Sequence, residues 1–158
     1  MWVLKPSPTA SRSEREAYVK QWAALTISIF ALLLAINGMY GSSNSSKVLN
    51  GTIAANNYWA WFQAKNVRAT IYETSGREEK AEKQRADMED ISEKARSAEA
   101  ARDAAKSRSP FFSYAGMALQ LSIVLSSAAI LAVMMPLLYA SIAVGGVGMV
   151  LFIYAMVI

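Results

Sequence analysis

The sequence contains no cysteine and no histidine. Without cysteine it can form no disulfide, no thiolate nucleophile and no thiolate metal site, and the redox compartment leaves no mark on it. Without histidine there is no imidazole base and no imidazole ligand for a metal, a haem or a chlorophyll. Proline is scarce, at 4 residues. Charge is missing over long stretches: no Lys, Arg, Asp or Glu occurs between Gln21 and Ser46, or after Arg108. A chain with so few of the usual catalytic side chains is poorly equipped for enzymatic work, and no catalytic, cofactor-binding or metal-binding residue is expected.

What is present is hydrophobic, 54% of the residues, with only 18% charged. Of the 16 basic and 12 acidic residues, 22 lie between Lys47 and Arg108. A soluble domain would not segregate its charge in this way. Within that central stretch the signs are interspersed, so no basic stripe points to nucleic acid. The uncharged runs Phe111–Met135 and Leu137–Ile158 each exceed the ~20 residues a helix needs to cross ~30 Å of hydrocarbon. The run from Trp22 to Met39 is shorter but workable, with Tyr18, Trp22 and Tyr40 where an interfacial aromatic belt would sit. A cleaved signal peptide is the competing reading of this first run, which is longer than a usual signal core.

The chain therefore reads as an all-α membrane protein. Three transmembrane helices are expected, with an extramembrane antiparallel helical hairpin between the first and second. The segments are residues 1–21, a tail and helix start; 22–40, the first span; 41–108, the hairpin, with arms 41–73 and 77–108; 111–135, the second span; and 137–158, the third. Pro6 and Pro8 predict an irregular or extended Met1–Ala10. Ser11 with Glu14 and Ser13 with Glu16 fit capping boxes, so a helix should begin near Ser13. Gly41–Ser46 is either a short break or a polar stretch of continuing helix. Thr74-Ser-Gly76 is the natural stop of the first arm. Ser109-Pro110 should end the second arm, because proline cannot continue the hydrogen-bond ladder. Arms of nearly equal length, ~50 Å each at 1.5 Å per residue, suit a hairpin that leaves the membrane and returns to it.

On the first arm, Ile53, Tyr58, Trp61, Phe62, Val67, Ile71 and Tyr72 can line a broad face. On the second, Met88, Ile91, Ala95 and Ala98 recur at spacings of three and four. Ala105 returns to that seam and Arg102 interrupts it, which reads as a short coiled-coil stripe. Nearly all of the acidic residues Glu78, Glu79, Glu82, Asp87, Glu89, Asp90 and Glu93 have a Lys or Arg three or four positions away. A solvated, charge-laced helix explains them better than a carboxylate site. In the spans, Ala118, Ser122 and Ser126 share one helical face, as do Ser141, Gly145 and Gly148. Small residues there let helix backbones approach in lipid.

The cluster Tyr58, Trp59, Trp61, Phe62, with Gln63, Lys65 and Arg68, is the candidate protein-interaction site. Its consecutive aromatics cannot all point one way on a helix. Trp61 and Phe62 are expected to face the return arm, and Trp59 a different surface. Hairpin core and a protein-binding anchor are both open readings of this cluster.

Asn56-Asn-Tyr-Trp-Ala-Trp-Phe-Gln-Ala-Lys-Asn-Val-Arg68, with Tyr72-Glu73 beyond it, resembles a bacterial membrane family catalogued as domain of unknown function 4337. The matching positions are Asn56, Trp59, Trp61, Phe62, Gln63, Ala64, Lys65 and Arg68. The resemblance extends over nearly the whole chain and implies one span, a charged helical excursion and a two-span hairpin. Asn66 departs from the Ser usual there, and Met134-Met-Pro136 replaces a basic turn. The family carries no assigned activity, so the resemblance implies architecture and a bacterial inner membrane, not a reaction.

The expected role is non-catalytic: a structural or accessory membrane protein with no cofactor. Its expected partners are the lipid bilayer and other membrane subunits or itself. The alternative is a component of a transport or energy-coupling complex of stator-like architecture, with a partner supplying the ionisable residues. Lys5, Arg12, Arg15 and Lys20 before the first span favour a cytoplasmic N-terminus and a periplasmic hairpin.

Overall fold

The computed structural model describes residues 12–158, so the irregular or extended course expected of Met1–Ala10 lies outside the described residues. These residues form three helices: α1 (Arg12–Thr74), α2 (Glu78–Ala132) and α3 (Met135–Val157). Each is long and apolar enough to cross a membrane. Among the described residues there is no strand.

Two compact units divide the chain. One comprises α1 up to Ser42 with α2 from Arg108 onward and α3, and the other is Ser43–Ser107. In the first unit, Ala23, Ala129 and Leu138 form one buried cluster. Phe112, Ala115, Phe152 and Ala155 form another. Ala23 thus packs near Ala129, whereas Ile36 packs near Phe112. That order makes α2 antiparallel to α1 within the unit. Between the clusters the helices approach closely. A Cβ on Gly145 would overlap the Phe30 ring, and one on Gly148 would stand 3.1 Å from Ala118 and Leu119 and 3.2 Å from the Ala115 carbonyl.

The second unit is built on a seam of small residues. Asn44, Ala55 and Ala69 are buried on α1, and Ala81, Ile91, Ala95 and Ala105 on α2. Partners on α2 fall in number as those on α1 rise: Asn44 reaches Ala105, Gly51 abuts Arg102, Lys65 meets Asp87 and Glu73 meets Arg85. A Cβ on Gly51 would lie 2.9 Å from the Arg102 Cβ and 3.2 Å from its Cα, so backbone nearly touches backbone there. This closeness corrects the broad apolar face read from the sequence. Tyr58, Phe62 and Tyr72 are half-buried, but Ile53, Trp61, Val67 and Ile71 are exposed. The narrow gap between the backbones admits glycine and alanine and turns the bulkier side chains outward.

Three boundaries depend on local chemistry. α1 ends in a Schellman turn: Gly76 has φ +69°, its N–H donates to Glu73 O (3.0 Å), and that of Arg77 donates to Tyr72 O (2.8 Å). α2 stops at Ala132, short of the Met135 expected for the second span. Val133 adopts φ 52°, and the Met134 N–H donates to Ala129 O, which turns the chain. Pro136 then lies in the first turn of α3, where its missing N–H has no intrahelical acceptor to leave unsatisfied.

The expected end of helix at Ser109-Pro110 is corrected: Pro110 lies inside α2. Proline in a helix interior costs ~3 kcal/mol. Buried side chains on both sides, Ala105 and Phe112, hold the helix through it. Gly41–Ser46, left open between a break and continuing helix, is helix.

Candidate protein interface

The aromatic run on α1 divides by helical phase. Residues 59 and 62 are three apart and share a side, while residue 61 points elsewhere. Trp59 and Phe62 stack edge to face, with ring centroids 5.5 Å apart and planes at 76°. The Trp59 indole N–H donates to Glu99 Oε1 at 3.0 Å. Trp61 is 51% exposed. This reverses the expected assignment of Trp59 and Trp61, while Phe62 does turn inward. A half-buried indole needs an acceptor for its N–H, and Glu99 supplies one; a seam this narrow has no room for a second indole.

Tyr58 is half-buried, and Gln63 and Arg68 are exposed. Lys65 is directed to α2, where its Nζ lies 2.6 Å from Asp87 Oδ2. The Lys65 ammonium hydrogen-bonded to it holds the Asp87 carboxyl below the usual carboxylate range, against a smaller opposing effect of desolvation. Trp61, Ala86, Asp87, Asp90 and Ile91 line an open groove of about 330 Å³. Both carboxylates in it are engaged, Asp87 by Lys65 and Asp90 by Lys94. Asp90 in turn raises the Lys94 pKa through its hydrogen bond. Trp61, Gln63 and Arg68 are thus the members of the cluster that face outward, and Trp59, Phe62 and Lys65 hold the second unit together.

The span residues singled out for packing come together in the first unit. Ser122, Ser126 and Ser141 are fully buried. Ser122 Oγ donates to Ser141 O at 2.8 Å, and the hydroxyls of Ser126 and Ser141 share a 2.5 Å hydrogen bond. Ala118 is half-buried and faces Gly148. Two further polar residues escaped the sequence reading. Asn37 and Asn44 are buried and donate through Nδ2 to Phe112 O (3.0 Å) and Ala105 O (2.8 Å). The available signal was an amide seven residues from another, the first of them inside an apolar run, where a polar side chain needs a partner.

Among the described residues no group of three or more Asp or Glu is placed to hold a metal ion. The family model described as Domain of unknown function (DUF4337) matches residues 19–86 and 74–158. No curated protein and no solved structure matches the chain.

Proposed function

The chain belongs to this family of unknown function, and from that premise we propose that it is a non-catalytic accessory protein of a bacterial inner membrane, acting through protein–protein contacts. Its three apolar helices cross the bilayer. Residues 41–108 form an extramembrane antiparallel helical hairpin with a coiled-coil seam, and this hairpin carries the contact residues. One observation supports the reading above the others. In the first unit Leu32, Met39, Leu131, Val150 and Val157 are between 63% and 86% exposed, on segments free of charge. Water would penalise such a surface at ~25 cal/mol per Å², and lipid would not. The hydroxyls of Ser122, Ser126 and Ser141 are meanwhile spent on one another and on the Ser141 carbonyl.

That last point also favours an accessory role over an ion-conducting one. In the stator-like alternative a polar seam for ions would draw on Ser122, Ser126, Ser127 and Ser141. The hydroxyls of Ser122, Ser126 and Ser141 are fully buried and bonded to each other across α2 and α3, and that of Ser127 donates to Ile123 O within its own helix.

The test is extraction followed by native mass measurement. The protein should stay in membranes washed at alkaline pH. In mild detergent it should elute in a stoichiometric complex, with itself or with another subunit. Release by alkali, or a lone monomer under every detergent tried, would remove the proposal.

A further inference from the structure

Arg108 is a charge without a counter-charge. α2 enters the first unit at this residue, which is also the last charged side chain of the sequence. The acidic side chains of that unit, Glu14 and Glu16, belong to the start of α1, beyond the cluster of Ala23 and Ala129. Arg108 is half-buried. Its Nε–H is shielded from solvent and meets no acceptor, and among the described residues no carboxylate pairs with it. A shielded donor on a charged group is costly to leave unmatched, and calls for an acceptor from outside the chain. Arg108 stands three and four residues before Phe111 and Phe112, on their side of α2. The Phe111 ring packs edge to face on Tyr154, with centroids 4.8 Å apart. Phe112 lies 6.2 Å from Phe152, which takes Tyr40 against its other neighbours at 5.9 Å. Both tyrosines are about half exposed, at 47% and 49%, and neither hydroxyl has a hydrogen-bond partner among the described residues. A guanidinium and two phenol hydroxyls, all able to donate, thus stand at the aromatic end of an otherwise uncharged bundle.

We infer that Arg108 binds the phosphate of an anionic phospholipid, whose acyl chains lie against the uncharged helices. The inference rests on the membrane reading proposed above, which puts the boundary between the charged and uncharged stretches of α2 at headgroup depth. The chemistry of the donors selects the occupant. A guanidinium presents a planar fork that matches two oxygens of a phosphodiester, and the unmatched Nε–H is one prong of it. Long basic side chains at the ends of spans lay their stems along apolar surface and hold their heads in the interface. Tyrosine favours the same depth, so Tyr40 and Tyr154 can donate to the remaining phosphate oxygens or to the glycerol esters. A lipid with a single net negative charge leaves the site neutral. A zwitterionic lipid brings a cationic group for which this end of the unit offers no acidic side chain. Free phosphate meets the same donors, but it gains nothing from the exposed apolar surface of the spans, such as Met117 and Ile153.

The full chain, purified in mild detergent and stripped of lipid, can be titrated with dioleoyl phosphatidylglycerol, dioleoyl phosphatidylcholine and inorganic phosphate. Native mass measurement counts what stays bound. One phosphatidylglycerol per chain should be retained and should raise the thermal unfolding midpoint, and the other two probes should do neither. Arg108→Gln should weaken phosphatidylglycerol binding roughly tenfold or more, the scale of a charge-assisted hydrogen bond, and abolish the shift. Without lipid the same variant should unfold like the wild type, because the guanidinium has no partner in the protein to lose. Arg108→Lys keeps the charge without the fork and should bind with intermediate strength. Arg96→Gln, exposed on α2 in the second unit, should bind like the wild type. Equal retention by wild type and Arg108→Gln, or an equal loss in Arg96→Gln, would overturn the site. So would an Arg108→Gln chain already destabilised without lipid, since the guanidinium would then serve the fold. Equal binding of phosphatidylcholine, or the same shift from inorganic phosphate, would overturn the anionic lipid as occupant. Any of these results in a chain that still resists alkaline extraction leaves the accessory membrane role standing; release by alkali removes both readings.

Discussion

At the residue scale, the second unit depends on a few polar contacts across its seam, Lys65 with Asp87 among them. The Asp87 pKa is depressed in the folded chain. Its contribution is therefore present above the ordinary carboxylate pKa of about 3.9 and is lost as pH falls through the depressed folded value. Amide exchange of the second unit, followed from about pH 5 down to about pH 2, should show its protection falling over the acid limb. Asp87→Asn should flatten that limb; an unchanged profile would show that the pair contributes nothing. The two tryptophans should separate cleanly. Trp59→Phe removes the donor to Glu99 and should cost ~1.5–3 kcal/mol of unfolding free energy, the range of hydrogen bonds to charged groups. Trp61→Ala should leave unfolding nearly unchanged, because its ring is already half in solvent, and should weaken association instead. If Trp59→Phe and Trp61→Ala behaved alike in a denaturation series, the assignment of one to the seam and the other to the surface would fail.

At the element scale, the informative places are where a helix continues against local preference or turns at a cost. Pro110 within α2 deprives the Lys106 carbonyl of its usual N–H and crowds it with the ring. Pro110→Ala should raise resistance to denaturant, by no more than the ~3 kcal/mol proline costs in a helix interior; a loss of stability would show that the ring itself is needed. Val133 presents the opposite case. It is β-branched with φ 52°, a conformation costing ~1–2 kcal/mol for an L side chain. Val133→Gly should recover about 1 kcal/mol of that, read as a higher midpoint of unfolding in detergent. These sites also show what the sequence could and could not convey. Gly76 as a helix stop was legible because glycine accepts positive φ without strain. Pro110 was misleading because a local rule was overridden by packing on either side of it. The inside of the second unit was misjudged for a related reason. Hydrophobicity marks which residues avoid water, but it does not report how closely two backbones approach. Gly51 and Ala55 decide that distance, and Ile53 and Trp61 are turned outward by it.

At the scale of the whole molecule, the proposed topology fixes which side of the membrane each segment occupies. Three crossings place the start of α1 and the hairpin on opposite sides, and the end of α3 on the same side as the hairpin. Basic residues ahead of the first span argue for a cytoplasmic start, although Arg96, Arg102, Lys106 and Arg108 ahead of the second span pull the other way. The absence of cysteine makes the question decidable by labelling. Ser13 and Glu82 are both exposed, so a cysteine at either position should be reachable from its own side. An impermeant maleimide added to intact spheroplasts should modify Glu82→Cys promptly and Ser13→Cys only after the membrane is opened. The reverse pattern would invert the topology while keeping the three crossings. Equal labelling of both before lysis would mean that the first apolar run does not cross the bilayer, and with it the accessory role proposed for the hairpin would lose its geometry.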